Sequence, residues 1–453
     1  MRRMHRNARS APAGTAAPRW WSRLVRSPWT VAALVLLLYS SWVAAQLYAG
    51  HDVRDFIFLN KSFVQQSKVS SAITIDPHYH YLSGGGYDGQ FSYFIAADPL
   101  HARYYLDTKA NGAAGADYRY TRILYPLTAR LLALGQVALI PYTLILINLL
   151  ALAGGTLALA LWLRRKALSP WFALVYGLYP GLFVSLQRDL TEALAYAFVA
   201  LGVLLFDGAG RRRLLWAGLA FALASLTRET SAIFPLVYGL SLWFGSHDPE
   251  RPHARWRQTA LFLGTSLAPI ALYKLLLWAW LGVIGQTGGL YPDPIPFGGL
   301  LFYWPWHANQ IEELVAVVLP AVLCGIVALR ALRRGERHVE VWSLLANVLL
   351  FAVFLNHKSY IEYFASGRIA AGVVLAALLC LPRFDRVTNR NRWWLWGSAL
   401  LWFSIGPALL QFYRRGTAPG DVALDLGLVV LLWLVTKRTG PRTRTRSTVD
   451  SAS

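Results

Sequence analysis

Asp88 stands at the head of an unusual stretch. Gly84–Gly86 and Tyr87 precede it, Gly89-Gln90-Phe91-Ser92-Tyr93-Phe94-Ile95 follows, and Pro99 closes the run. An aspartate before a short apolar helix ordinarily caps that helix, its carboxylate accepting from free backbone N–H groups. An acid on a glycine-flanked turn among tyrosines and histidines can also be an ionised group offered to a reactant. Further acids and bases lie along the chain in His51, Asp52, Asp55, Asp76, His78, His80, Asp98, Arg188-Asp189, Glu192, Arg228-Glu229, His357, Glu362 and Arg368. His78 and His80 alternate with tyrosines, but no spacing fixes a third ligand, so they read as a solvated loop and not a metal site. The Gly84–Gly86 run lacks a following Lys-Ser/Thr and is a flexible turn, not a phosphate loop.

What must position these groups is a membrane-embedded scaffold. Hydrophobic residues make up 56% of the 453 and charged residues only 15%, with 19 Trp; a soluble chain is nearer a quarter charged. Apolar runs are expected as spans at 30–48, 138–163, 170–186, 189–206, 213–227, 230–245, 258–282, 312–332, 340–356, 366–382, 393–412 and 421–436. The fold class is therefore all-α and polytopic, with about twelve transmembrane helices. A retained first helix is favoured over a cleaved signal peptide, since the basic region before it is long. The fifth and sixth spans are separated only by Thr227-Arg228-Glu229-Thr230, a break whose freed backbone groups must be buried in protein or face water. Cys324 and Cys380 both fall in apolar runs, so neither a disulfide framework nor a zinc site is expected.

Charge placement sets an orientation. With the N-terminus cytoplasmic, most of the 44 Lys and Arg fall inside and most of the 23 acids outside. The basic clusters include Arg164-Arg165-Lys166, Arg211–Arg213, Arg330–Arg337 and Arg383–Arg392. The net charge of +21 thus belongs to cytoplasmic loops and tails, which argues against nucleic acid as a partner. Residues 1–28 and 437–453 are cytoplasmic basic tails, 29–436 the membrane domain, and 50–137 a first outer loop carrying short interfacial helices. Lys274 alone lies inside a span, where a charge costs about 2.5–3.5 kcal/mol, and faces either a cavity or the outer headgroups.

Several of these stretches, in order, resemble the C-type glycosyltransferase (GT-C) superfamily, closest to bacterial relatives of GPI mannosyltransferases. Tyr87-Asp88-Gly89-Gln90-Phe91-Ser92-Tyr93-Phe94-Ile95-Ala96 is similar to that group's Trp-Asp-Gly-x-x-Tyr-x-x-Ile-Ala element. Ile123-Leu-Tyr-Pro126-Leu is similar to its Pro-Leu-Tyr-Pro-Leu, Thr191-Glu192-Ala-Leu to its Ser-Glu-Ser/Ala-Leu, and Ala224-Ser-Leu-Thr-Arg228 to its Ala-Leu-Thr-Arg-Pro. Arg368 matches a late arginine. Tyr87 replaces the tryptophan and Glu229 the proline. The likeness covers residues 30–245 by motif and the last third by architecture alone.

The resemblance implies a GT-C-like fold and an inverting transfer of a sugar, mannose in the nearest relatives, from a polyprenyl-phosphate donor. The acceptor is a lipid, glycan or protein at the outer face of a bacterial inner membrane. One carboxylate suffices to take the acceptor proton because the phosphate leaves without one; a hydrolase would need two. Asp88 is the expected base, with Asp52 as second choice. Arg228, Arg368 and Lys274 are expected on the donor phosphate, where charge develops, and Tyr87, Gln90, Tyr93, Glu192 and His357 around the substrates. The donor lipid and membrane lipids are the partners; no cofactor and no metal ligand set is expected. The competing class is a polytopic transporter or lipid-linked-glycan flippase, which would instead place its polar groups at the midplane of broken, repeated helices.

Overall fold

The computed structural model describes residues 27–61, 86–100, 117–208, 210–244, 252–282, 295–355, 357–361 and 363–388, with isolated positions between 64 and 81 and between 402 and 434. The described residues are helical, without a strand. The spans expected at 393–412 and 421–436, both tails, and Asp76, His78, His80 and Glu362 lie outside them.

Helix α1 (Pro28–Tyr48) starts at a proline in its first turn, where the missing N–H costs nothing. Val31, Val35, Tyr39 and Trp42 recur at helical spacing and form its buried face. The Tyr39 hydroxyl donates to the Gly177 carbonyl at 2.9 Å, and the Tyr39 ring stacks on Phe183. The first helix is thereby part of the core.

The first loop folds back onto the bundle. A 3-10 turn, Val53–Ile57, leads to α2 (Gly89–Ala97), a single turn at Asp117–Tyr120, and α3 (Leu124–Leu132). The two helices of this loop differ in exposure. Leu131, Leu132 and Leu134 at the end of α3 are exposed, as on a helix lying at an apolar surface. Every residue of α2 is buried, because Phe91, Phe94 and Ile95 build a core of their own with Tyr120, Tyr125 and Leu144. The Tyr125 hydroxyl donating to Leu144 and Thr143 donating to Ala129 tie α3 to α4 (Ile140–Arg165).

The third expected span is broken. Pro170–Ala173 and Leu174–Gly177 form separate turns, and Pro180, barred from a helix interior, restarts the chain as α5 (Pro180–Gln187). Helices α6 (Glu192–Phe206) and α7 (Arg211–Thr227) follow. After α7 comes the expected break, with Arg228 extended and Glu229–Ala232 a 3-10 turn before α8 (Ile233–Phe244). Its freed groups are met within the protein, since the Arg228 N–H donates to Ala224 and the Ser231 hydroxyl to the Arg228 carbonyl. Beyond short helical pieces at Gly298–Leu301 and Ala308–Glu313, the later helices are α9 (Pro252–Leu281), α10 (Leu319–Arg333), α11 (Val339–Phe354), α12 (Tyr363–Ile369) and α13 (Ala371–Thr388).

Among the described residues, four helical stretches are long and apolar enough to cross a membrane: Pro28–Tyr48, Val137–Arg165, Trp256–Leu281 and Asn309–Arg333. Glu192–Phe206, Val339–Phe354 and Ala371–Arg383 are shorter apolar helices. The chain is a helical integral membrane protein. Cys324 and Cys380 are both free and buried.

Candidate active site

Three breaks in the helical scaffold converge on Asp88: the turn before α2, the turn between α5 and α6, and the α12 segment near the end of the described chain. The first two are locked by a glycine. A Cβ at Gly89 would run into the Arg188 carbonyl, so only glycine lets the start of α2 lie against that backbone. The space beside Gly89 is taken up by the protein's own chain. Asp189 next to it has φ of 47°, a conformation Asp tolerates better than most side chains. The turn at Arg188-Asp189 delivers Leu190, Thr191 and Glu192 to the same cavity as Asp88.

Asp88 takes the N-cap position of α2, but its side chain makes no capping bond. Its backbone is already helical there, with φ −60° and ψ −24°, and the carboxylate turns to arginines instead. Arg119 donates to Oδ1 through Nε at 3.1 Å and Nη2 at 2.7 Å. Arg368 donates to Oδ2 through Nη2 at 2.8 Å. Burial alone would raise this carboxyl; the charges of Arg119, Arg368 and Arg122 outweigh it and hold Asp88 well below the usual carboxylate range.

A second acid continues the network. Glu192 opens α6 and is fully buried. Its Oε1 accepts from Arg228 Nη1 at 2.6 Å and lies 3.4 Å from Arg368 Nη1. Arg368 therefore bridges Asp88 and Glu192. Beside it, Arg122 grips Glu229 in a bidentate pair at 3.1 and 2.9 Å. Burial would raise Glu229 too, but Arg122 and then Arg228 bring it down to about 2. The break after α7 thus sends Arg228 to Glu192 and Glu229 to Arg122.

Between these groups is a cavity of about 20 Å3, room for a water. Asp88, Arg119, Arg122, Thr191, Glu192 and Arg368 supply its polar lining, and Phe91, Ile95, Pro126 and Leu190 its apolar wall. Within that lining, Arg368 Nε, Thr191 Oγ1 and Glu192 Oε2 are among the buried polar atoms without a hydrogen-bond partner in the described protein. Buried polar atoms are nearly always paired, so such atoms on residues of one recess suit a polar ligand there.

The other candidates fall elsewhere. Asp52 caps the Val53–Ile57 turn, accepting from the Arg54 N–H and pairing with the Arg54 guanidinium at 2.7 Å. Asp55 completes that capping box and receives the Tyr79 hydroxyl at 2.8 Å. Neither lines the cavity. Arg228 is 3% exposed and also stays behind the lining, where it anchors Glu192. Tyr87 lies under the Arg188 and Arg368 guanidinium groups, at 4.7 and 5.1 Å. Gln90 is turned inward, its Oε1 accepting from the Asn60 N–H, and Tyr93 is buried against Phe94. Lys274 is half-buried on α9, and His357 packs on Phe302 at 4.4 Å; neither lines the cavity.

Arg119 and Arg122 line the cavity without being among the residues expected there. They sit one helical turn apart in Asp117-Tyr-Arg119-Tyr-Thr-Arg122, within the loop that also carries Asp88. Arg119 lies 3.8 Å over the Phe91 ring, and the Tyr120 carbonyl accepts from Tyr273 on α9. Among the described residues no three His, Cys, Asp or Glu side chains converge as a metal site. No family model matches the chain, and no curated protein or solved structure matches it.

Proposed function

We propose that the protein is an inverting, GT-C-type glycosyltransferase that moves a sugar, with mannose the first to test, from a polyprenyl-phosphate donor to a hydroxyl of a lipid, glycan or protein acceptor. The reaction takes place at the outer face of a bacterial inner membrane, with both termini cytoplasmic. One observation carries the reading: Asp88 shares a recess with Arg119, Arg122 and Arg368, and the other carboxylate of that lining, Glu192, is held from behind by Arg228.

Each part of that constellation has a task in such a transfer. The acceptor oxygen bonds to the anomeric carbon as the carbon–oxygen bond to phosphate breaks, and the electron pair departs with the phosphate. The acceptor proton passes to the Asp88 carboxylate, and the single displacement inverts the anomeric centre. Guanidinium groups match phosphate oxygens in pairs and stabilise the charge that develops there. A carboxylate held by two arginines is a weak base, and the recess is too small for a sugar. Donor binding resolves both: its phosphate competes for Arg119 and Arg368, opens the recess, and leaves Asp88 with fewer cations and a higher pKa. Glu192, anchored by Arg228, keeps Arg368 in place through the exchange.

The test uses native membranes from cells overproducing the chain, given polyprenyl-phosphate mannose labelled in the sugar. Wild-type membranes should consume the donor and release polyprenyl phosphate, and Asp88→Asn membranes with equal protein should not. Donor consumption equal in the two would remove Asp88 as the base. Labelled donor crossing the bilayer intact, without consumption, would replace the transferase with a flippase.

A further inference from the structure

At the far end of α8 from Arg228 a second, larger cavity opens between α8, α10 and α11. Its volume is about 900 Å3, and its wall is overwhelmingly apolar, built from residues such as Leu240, Phe244, Leu332 and Leu345. Only one end carries charge. Arg333, closing α10, and Arg337, in the turn before α11, both line it and both are exposed. The one acid in that turn, Glu336, lies against His338, Nε2 to Oε2 at 3.3 Å, and forms no ion pair with either arginine. Ser241 on the wall has spent its hydroxyl on the Tyr238 carbonyl.

We infer that this groove is a binding site for one anionic phospholipid of the leaflet on the arginine side, with the headgroup phosphate between Arg333 and Arg337 and an acyl chain along α11. The dimensions fit. The groove reaches from the turn at Arg337 to Leu349 on α11, and those residues rise by about 15 Å, half of a hydrocarbon core of about 30 Å. Trp342, half-exposed in the lining, sits at the level where an indole prefers the headgroup boundary.

Charge selects this occupant over the others. The chain's own C-terminal tail, with Lys437, Arg438, Arg442, Arg444 and Arg446, would be repelled by the two arginines. A second copy docking symmetrically would bring its own arginines to the same contact. A zwitterionic lipid fills the apolar part but leaves the arginines without a net countercharge. Arg333 and Arg337 lie outside the Asp88 cavity, so the inference stands independently of the transferase reading.

The experiment is native mass spectrometry of the delipidated protein in detergent. It is titrated with phosphatidylglycerol and with phosphatidylcholine carrying identical oleoyl chains. At about tenfold or less per arginine near a lipid charge, wild type should bind phosphatidylglycerol about 10- to 30-fold more tightly. Arg333→Gln/Arg337→Gln should bring the two lipids to parity, with the larger loss for phosphatidylglycerol. Leu345→Trp, which fills the apolar part, should weaken both. Equal affinity of wild type for the two lipids would overturn the inference, as would a preference that survives in the double glutamine variant. The wild-type comparison decides even if a variant fails to fold.

Discussion

Arg368 and Asp88 meet across 280 positions of sequence, Nη2 donating to Oδ2 at 2.8 Å. The contact closes the site: the first long loop supplies the acid, and a short helix near the end of the described chain supplies one of its cations. Tyr179 donating to the Gly367 carbonyl at 2.8 Å pins that helix to the start of α5. The residue before Arg368 is thus fixed by backbone, which gives the guanidinium a defined reach.

The Asp88→Asn variant should lose about 10²–10⁴-fold in turnover, the range for a missing general base. It should also lose thermal stability, because the carboxylate holds two arginines and makes no cap. Charged hydrogen bonds of this kind contribute about 1.5–3 kcal/mol. Thermal unfolding in detergent, followed by donor turnover well below the midpoint, separates the two effects. An Asn variant as stable as wild type would show that the ion pairs contribute nothing net.

Much of this was legible beforehand, for identifiable reasons. Periodic apolar runs placed α1, α4 and α9 because a bilayer forces long uninterrupted hydrophobic stretches. The break at Arg228-Glu229 was readable because two charges interrupt such a run. Asp88 and Arg368 were legible as candidates, but their pairing was not, since contacts at that separation leave no periodic trace. Arg119 and Arg122 were hidden differently: in a polar loop an arginine reads as ordinary solvation, and only the fold brings these two beneath α2. The capping box at Asp52 was not legible either, because it depends on the local turn geometry after the first helix.

Gly89→Ala should disable the protein more than its size suggests. The added methyl meets the Arg188 carbonyl, a backbone atom that cannot swing aside. The start of α2 must retreat from the Arg188–Glu192 turn, carrying Asp88 away from Arg368. Gly154→Ala is the control: it lies within α4 with open space around its Cβ position, and alanine there should stabilise by about 0.5–1 kcal/mol. Turnover and thermal midpoint for the two, measured side by side, should move in opposite directions. Wild-type turnover in Gly89→Ala would refute the close approach.

Glu229 predicts an acid limit. Its folded carboxyl lies at about 2 against an ordinary 4.5, lowered by Arg122 and Arg228 against the effect of burial. A depressed carboxyl contributes stability that is present above the unfolded value and lost as pH falls through the folded one. The displacement from 4.5 to about 2 corresponds to roughly 3 kcal/mol at most. The thermal midpoint of wild type should therefore drop between about pH 4.5 and 2. In Arg122→Gln/Glu229→Gln the drop should be shallower by that amount. An identical slope in the double variant would assign the acid limit to other carboxylates.

The arginines should divide by role, although all are guanidinium groups near one recess. Arg119 lines the cavity and holds a carboxylate that donor binding must release. Arg119→Gln should therefore raise the KM for polyprenyl-phosphate mannose by about tenfold or more, the loss of one charged contact. Arg228 stands behind the lining and compensates the fully buried Glu192. Removing one partner of a buried ion pair costs about 3–5 kcal/mol, so Arg228→Gln should lower the thermal midpoint sharply. Glu192→Gln added to it should restore part of that loss, because the second change removes the uncompensated charge. Donor KM in the folded fraction of Arg228→Gln should stay near wild type, provided Arg368 keeps its place. If Arg228→Gln instead raises KM as much as Arg119→Gln while the thermal midpoint holds, Arg228 meets the phosphate directly and the anchoring role is wrong.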